Sequence, residues 1–213
     1  MWGLLDIHVS SLATSTALSS YYVREFIQPL DVIKVLNRAK VKFVLAGLHG
    51  IGGWMNKPRA TQDVDVLLWA RHHKKGIKAL RSAYPHLEQV DLLVVTRLMD
   101  PSTGNVVIDL MKSDQGVFQA AFKHTHQVEM EGEHYLIPSL EMALAMKFAP
   151  MVSPNRQDLD KYQDAHDFGY MVQKNASIDL GLVEELGELI YPGGGTEILE
   201  AVRRVRAGEK LIL

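Results

Sequence analysis

Apolar residues recur at helical spacing from Tyr21 to Arg38, at Val23, Phe26, Ile27, Leu30, Ile33 and Leu36; Pro29 divides the stretch and Asp31 opens its second half. Val41 to Ala46 is a short continuous apolar run closed by glycine, the pattern of a buried strand. Gly47 to Trp54 then reads as a glycine-rich helix, Asp63 to Trp69 as a second buried strand carrying two carboxylates, and His72 to Ala83 as a helix stopped by Tyr84-Pro85. Gln89 to Leu98 and Asn105 to Met111 are β-rich runs separated by Asp100-Pro101-Ser102-Thr103-Gly104, a hairpin loop by composition. His124 to Ile137 predicts a further short hairpin turning at Glu131-Gly132.

The pattern changes at Pro138. Ser139 is placed to cap a helix that runs to about Pro150, and Asn155 to Val172, Ile178 to Ile190 and Thr196 to Arg206 continue as amphipathic helices. The expected organisation is therefore a leader over residues 1–20, a mixed α and β core over 21–137 and a helical C-terminal region over 138–213. The leader has neither a basic start nor a sustained apolar centre, so it does not read as a signal peptide.

Composition narrows the chemistry. Among 213 residues, 47% are hydrophobic and Lys plus Arg (23) nearly balances Asp plus Glu (25), so the chain does not coat a polyanion by overall charge, although a local basic patch is compatible with that balance. With no cysteine, disulfides, thiolate metal sites and cysteine nucleophiles are excluded. A soluble cytoplasmic protein without a membrane partner is the expectation.

The sharpest local feature is Arg59-Ala60-Thr61-Gln62-Asp63-Val64-Asp65. Residues two apart on a strand share a face, so Asp63 and Asp65 stand side by side, either as a solvated strand end or as ligands of a shared cation. Magnesium suits such oxygen donors. Asp109, alone in Val106-Val107-Ile108-Asp109-Leu110-Met111, supplies a third carboxylate if its strand neighbours the first. Upstream, Leu45-Ala46-Gly47-Leu48-His49 joins a strand to a helix start, a turn that brings main-chain N–H groups towards an anion.

In this order, the strand, glycine turn and helix, then Arg-x-Thr-x-Asp-Val-Asp, then an isolated strand aspartate resemble the nucleotidyltransferase superfamily with a DNA polymerase β-like fold. The nearest likeness is to minimal nucleotidyltransferases and the abortive-infection type IV toxin–antitoxin family. The likeness covers Val41 to Leu110 and continues more weakly to Val172, through Lys147 and Lys161-Tyr162-Gln163-Asp164. It implies an α+β fold with a nucleotidyltransferase-like mixed sheet flanked by helices. It also implies magnesium-dependent transfer of a nucleoside monophosphate from an NTP, ATP included, to a protein or RNA hydroxyl, with a cognate toxin or antitoxin as partner. Asp63, Asp65 and Asp109 would then be the catalytic residues and hold one or two Mg²⁺ ions, while Gly47, Leu48, Arg59, Thr61, Lys147 and Lys161 would contact the nucleotide.

Simpler roles stand beside these. Lys147 reads equally as a solvated edge of an apolar helix, and Asp158, Lys161 and Asp164 as exposed i, i+3 pairs. His72-His73-Lys74-Lys75 reads as a solvated helix start, His124 and His126 share a strand face but lack the third ligand a metal site needs, and Trp54 and Trp69 are packing residues. In one respect the chain departs from the family, which places Gly or Ser where this chain has Leu48. A catalytically degenerate binding or regulatory protein is the alternative function, and a phosphohydrolase using the same carboxylates is a third.

Overall fold

The computed structural model describes residues 27–56, 61–114 and 116–212. The leader, the first part of the predicted 21–38 helix and Arg59 lie outside the described residues. Helix α1, Pro29–Arg38, begins at the proline, whose missing N–H is no loss in a first turn, and the Asp31 carboxylate accepts the Gln28 N–H at 3.2 Å.

Strands β1 (Phe43–Leu45), β2 (Val64–Leu68), β3 (Glu88–Asp91), β4 (Val95–Met99), β5 (Val106–Lys112), β6 (Thr125–Met130) and β7 (Glu133–Pro138) form one sheet in the order β3-β4-β5-β2-β1-β7-β6. It is mixed: β2 runs parallel to β5 and β1 parallel to β7, while β1 and β2 are antiparallel. The Gln89–Leu98 run is two strands rather than one. Leu92 donates its N–H to the Val95 carbonyl at 2.9 Å, and Asp91 pairs with Thr96. Leu92-Leu93-Val94 carries none of the usual turn residues, so its composition hides the reversal.

Alternation along the strands divides the molecule into two apolar layers. Phe43, Leu45, Val64, Val66, Leu68, Ile108 and Leu110 face one side, against α1 and helix α3 (His73–Ala83). Val44 and Leu67 face the other, where they meet α2 (Gly47–Met55), α5 (Leu140–Val152), α6 (Asp158–Lys174), α7 (Leu180–Glu188) and α8 (Gly194–Arg206) in one continuous core. Ser139 caps α5 as expected, accepting the Met142 N–H at 3.3 Å. A short helix, α4 (Gly116–Ala120), and a 3₁₀ turn at Ala121–Lys123 fill a stretch to which the sequence pattern assigns no element. Trp54 and Trp69 pack against the larger core, in keeping with the packing role expected of them.

Candidate active site

Asp63 immediately precedes β2, and Asp65 sits within it, directly opposite Asp109 in the parallel register with β5. Each of the three offers a carboxylate oxygen, and these oxygens lie within 4.8 Å of one another. The sheet thus joins residues 44 positions apart in sequence, as the spacing of polar residues in two apolar strands anticipates. The Thr61 hydroxyl donates to Asp63 Oδ1, which fixes that carboxylate.

The electrostatics follow from crowding in a poorly solvated place. Burial, then the negative charges of Asp63 and Asp109, raise the Asp65 carboxyl to about 7 despite the opposing charges of Lys147 and Arg156. Burial raises Asp109 to about 6, opposed chiefly by Arg97. Arg97 lies across from Asp109 in the antiparallel β4–β5 register, and its Nε stands 3.4 Å from Asp109 Oδ1. The two make an ion pair but not an aligned hydrogen bond, so both atoms stay buried without a hydrogen-bond partner.

Helix α2 begins at this cluster. Its N-cap, Ala46, has no side chain to cap the first turn, and no acidic residue stands there. The N–H groups of Gly47, Leu48 and His49 precede the first i to i−4 bond, which Gly50 makes to Ala46 at 2.9 Å. Gly47 has φ +51°, and a Cβ on it would fall 1.8 Å from Asp65 Oδ2. Glycine is therefore required twice, by the left-handed backbone and by the carboxylate packed on it. The Leu48 side chain is buried in the core, which leaves its main-chain N–H as its contribution to the turn. Gly52 and Gly53 belong to α2 and face open space, while Gly50 packs its backbone onto the Leu45 carbonyl. The turn at Gly47 is therefore a helix start, with its glycines inside α2 rather than in a separate loop.

The donor set suits a hard divalent cation. It consists of oxygen alone, one of its atoms (Asp109 Oδ1) lacks a hydrogen-bond partner, and the cradle over Asp65 is one that any side chain at Gly47 would fill. His124 and His126 belong to no comparable cluster among the described residues.

On the helical side, Lys147 Nζ lies 2.9 Å from both Asp164 and Asp167, which are 5% and 0% exposed. Burial alone would lower its pKa, but the two carboxylates hold it above the ordinary lysine range. Asp164 is thus a buried anchor, not the exposed helical pair that i, i+3 spacing suggests. Arg156 completes the anchor through Asp164 at 3.1 Å, and its charge reaches Asp65 and Asp109. Lys161 makes no ion pair among the described residues.

The sequence reading passes over three residues at this site: His49, Arg97 and Arg156. His49 lies against Asp63; desolvation lowers its imidazole pKa, opposed by the Asp63 charge and by a hydrogen bond to the Asp63 main chain. Arg97 was findable once β4 is paired antiparallel to β5, whereas Arg156 stands between helices where no periodicity marks it.

No protein-family model matches the sequence, and no curated protein matches it. Solved structures do. The antibiotic-resistance factor ANT(2'')-Ia is 11% identical, with 84% of this chain and 88% of that chain covered and a TM-score of 0.51. An antigenic nucleotidyltransferase-like protein from Paracoccidioides brasiliensis is 16% identical over 81% of this chain and 88% of its own, with a TM-score of 0.44. The lincosamide antibiotic adenylyltransferase LnuA is 14% identical over 68% and 95%, with a TM-score of 0.47. At such identities the likeness concerns the fold, and the chain has the α+β nucleotidyltransferase fold.

Proposed function

We propose that this protein transfers a nucleoside monophosphate from an NTP to a hydroxyl acceptor, with Asp63, Asp65 and Asp109 as its metal-binding and catalytic carboxylates. The observation that carries this reading is the convergence of three carboxylates, within 4.8 Å of one another, on a helix start whose glycine is packed against Asp65. The three carboxylates would hold one or two magnesium ions, which would supply neutralisation of the charge that develops during transfer. The free N–H groups of Gly47, Leu48 and His49 receive phosphate oxygens at the positive end of α2. Thr61 holds Asp63 in place. Asp109, raised to about 6, is suited to accept the proton of the incoming hydroxyl near neutral pH. In-line attack by that hydroxyl on the α-phosphorus forms a new ester bond, and the bond to the β-phosphate oxygen breaks, releasing pyrophosphate.

Arg59 and Lys161 belong to this proposal as triphosphate contacts. Lys147 contributes through its field, because its ammonium is already shared by Asp164 and Asp167. The acceptor implied by the sequence resemblance is a protein or RNA hydroxyl in a cytoplasmic toxin–antitoxin or defence setting. ANT(2'')-Ia is described as an antibiotic-resistance factor, so a hydroxylated antibiotic is the acceptor to test against it.

Leu48 favours the second reading, a binding module that has lost activity. Its side chain points into the core, however, and the turn keeps both the glycine and the main-chain donors, which supports the catalytic reading. Calorimetric titration of ATP with magnesium should show binding by the wild type and none by Asp63→Ala/Asp65→Ala; absence of binding by the wild type overturns the proposal. An NTP labelled at the α-phosphate, offered in turn to RNA, a co-expressed partner and a hydroxylated antibiotic, then identifies the acceptor. Binding without label transfer to any of them leaves the inactive module.

A further inference from the structure

The opposite face of the sheet carries a feature that nucleotidyl transfer does not use. Helix α3, strand β3 and the end of β5 enclose an open groove of about 670 Å³ lined by Lys74, Lys78, Arg81 and Lys112, with Ile77 and Pro85 as its apolar wall. Asp91 is the single acid among the lining residues, and its carboxylate is taken by the Thr96 hydroxyl at 2.6 Å and the Gln89 amide at 2.8 Å. Glu88 lines the adjoining surface beside Arg81 without pairing with it. Among the described residues, Lys74, Lys78 and Arg81 have no ion pair, and Lys112 is held by the Leu92 carbonyl at 2.6 Å.

Several cations elsewhere are matched. Lys34 pairs with Glu131, Arg203 and Arg204 with Glu200 and Glu209, and Arg156 with Asp160 and Asp164. The first turn of α3 adds Lys74 and Lys75 at the end of the helix where the dipole disfavours positive charge, with no acid in that turn to offset them. Stability alone therefore opposes this arrangement. Lys74, Lys78 and Arg81 follow one another at i, i+4 and i+7, which places them along one side of α3 over roughly 10 Å. A row of that length matches a few successive phosphates of a nucleic-acid strand.

We propose that this groove binds the sugar–phosphate backbone of single-stranded RNA, on the face of the sheet opposite the three carboxylates. The concavity favours a strand over a lipid surface. A flat bilayer meets protruding groups, whereas these cations line a recess, and the apolar Leu92-Leu93-Val94 turn projects outside it. Charge without a stacking platform implies little base preference.

The test uses the whole chain and a fluorescein-labelled oligouridylate of about a dozen nucleotides, followed by anisotropy. Binding should weaken at least tenfold in Lys74→Glu/Lys78→Glu/Arg81→Glu, and it should persist in saturating magnesium and ATP. The slope of log affinity against log salt should become shallower by about 2, from roughly 0.7 per lost phosphate contact. Lys74→Glu relieves a cation at the helix start while Arg81→Glu acts in the opposite sense in the last turn, and all three positions are exposed, so the variant should melt within a few degrees of wild type, which separates lost binding from lost folding. Lys112→Ala, on a different element, should weaken binding by a smaller factor. Failure of the wild type to bind, an unchanged affinity in the triple variant, displacement by ATP, or binding to phosphatidylserine vesicles without binding to RNA would each overturn the assignment.

Discussion

At the scale of single residues, Asp65 carries the strongest tension in the molecule. Its carboxyl ionises near 7 in the folded chain against 3.8 in an unfolded one, because burial and two neighbouring carboxylates oppose its charge. The folded state thus holds a proton that the unfolded state has released, so this residue's contribution to stability is greatest below about pH 4. It is lost as pH rises towards 7, and the full loss is at most about 4 kcal/mol. Asp109, ionising near 6, acts in the same direction. In metal-free protein, Asp65→Asn should therefore melt higher than wild type, with a difference that widens between pH 4.5 and 7.5. Melting curves at matched pH check this, and a difference that is flat with pH contradicts the buried-carboxylate account. Magnesium should raise the wild-type melting temperature more at pH 7.5 than at pH 5 and leave Asp65→Asn unmoved. Gly47→Ala tests the neighbouring constraint. With φ at +51° and Asp65 Oδ2 where the new methyl would lie, it should cost at least the roughly 1–2 kcal/mol of a left-handed alanine and abolish magnesium–ATP binding.

At the scale of elements, the pairing of α5 with α6 rests on buried charge. Lys147 on α5 bridges Asp164 and Asp167 on α6, Gln163 donates to Asp167 at 3.1 Å, and Arg156 closes the other side of Asp164. Removing the ammonium that two buried carboxylates share leaves their charge less well compensated. Lys147→Met should destabilise the fold by about 3–5 kcal/mol in urea unfolding, more than Arg156→Met, whose side chain is 39% exposed. A loss below about 1 kcal/mol would contradict the buried-anchor account. Much of this scale was legible from the chain. The Asp63–Asp65 spacing and the solitary Asp109 mark their strands because carboxylates are expensive inside apolar runs, and Ser139 and Pro29 mark helix starts through their own chemistry. The anchor was not legible. The i, i+3 pattern of Asp158, Lys161 and Asp164 is the same for an exposed face as for a buried one, and only the position of α5 decides which. The β3–β4 reversal escaped for a related reason: apolar turn residues leave strand propensity unbroken, and register decides.

At the scale of the whole molecule, the larger core runs without a break from the sheet into the C-terminal helices. Val44, Leu48, Ile51, Met55 and Leu67 belong to the same cluster as Phe148, Phe168, Met171, Val183, Ile198 and Val202. The helices that follow Pro138 therefore cover the face of the sheet from which Asp65 and Asp109 project, and α2 is held between the two. A chain ending at Pro138 would expose that face, at about 25 cal/mol for each Å² of apolar surface returned to water. It should lack a cooperative transition and bind hydrophobic dye, even though it retains all three carboxylates. The full chain, by contrast, should unfold in one step. Trp54 and Trp69 both pack against the shared core, so in a Trp2→Phe background tryptophan fluorescence reports that contact while far-ultraviolet circular dichroism reports the helices as a whole. Coincident midpoints are the expected result. A fluorescence transition separated from the dichroism transition would mean that the sheet and the helical region are independent units, and that the α2 cradle can form before α5 and α6 bring Lys147 and Arg156 within reach of the carboxylates.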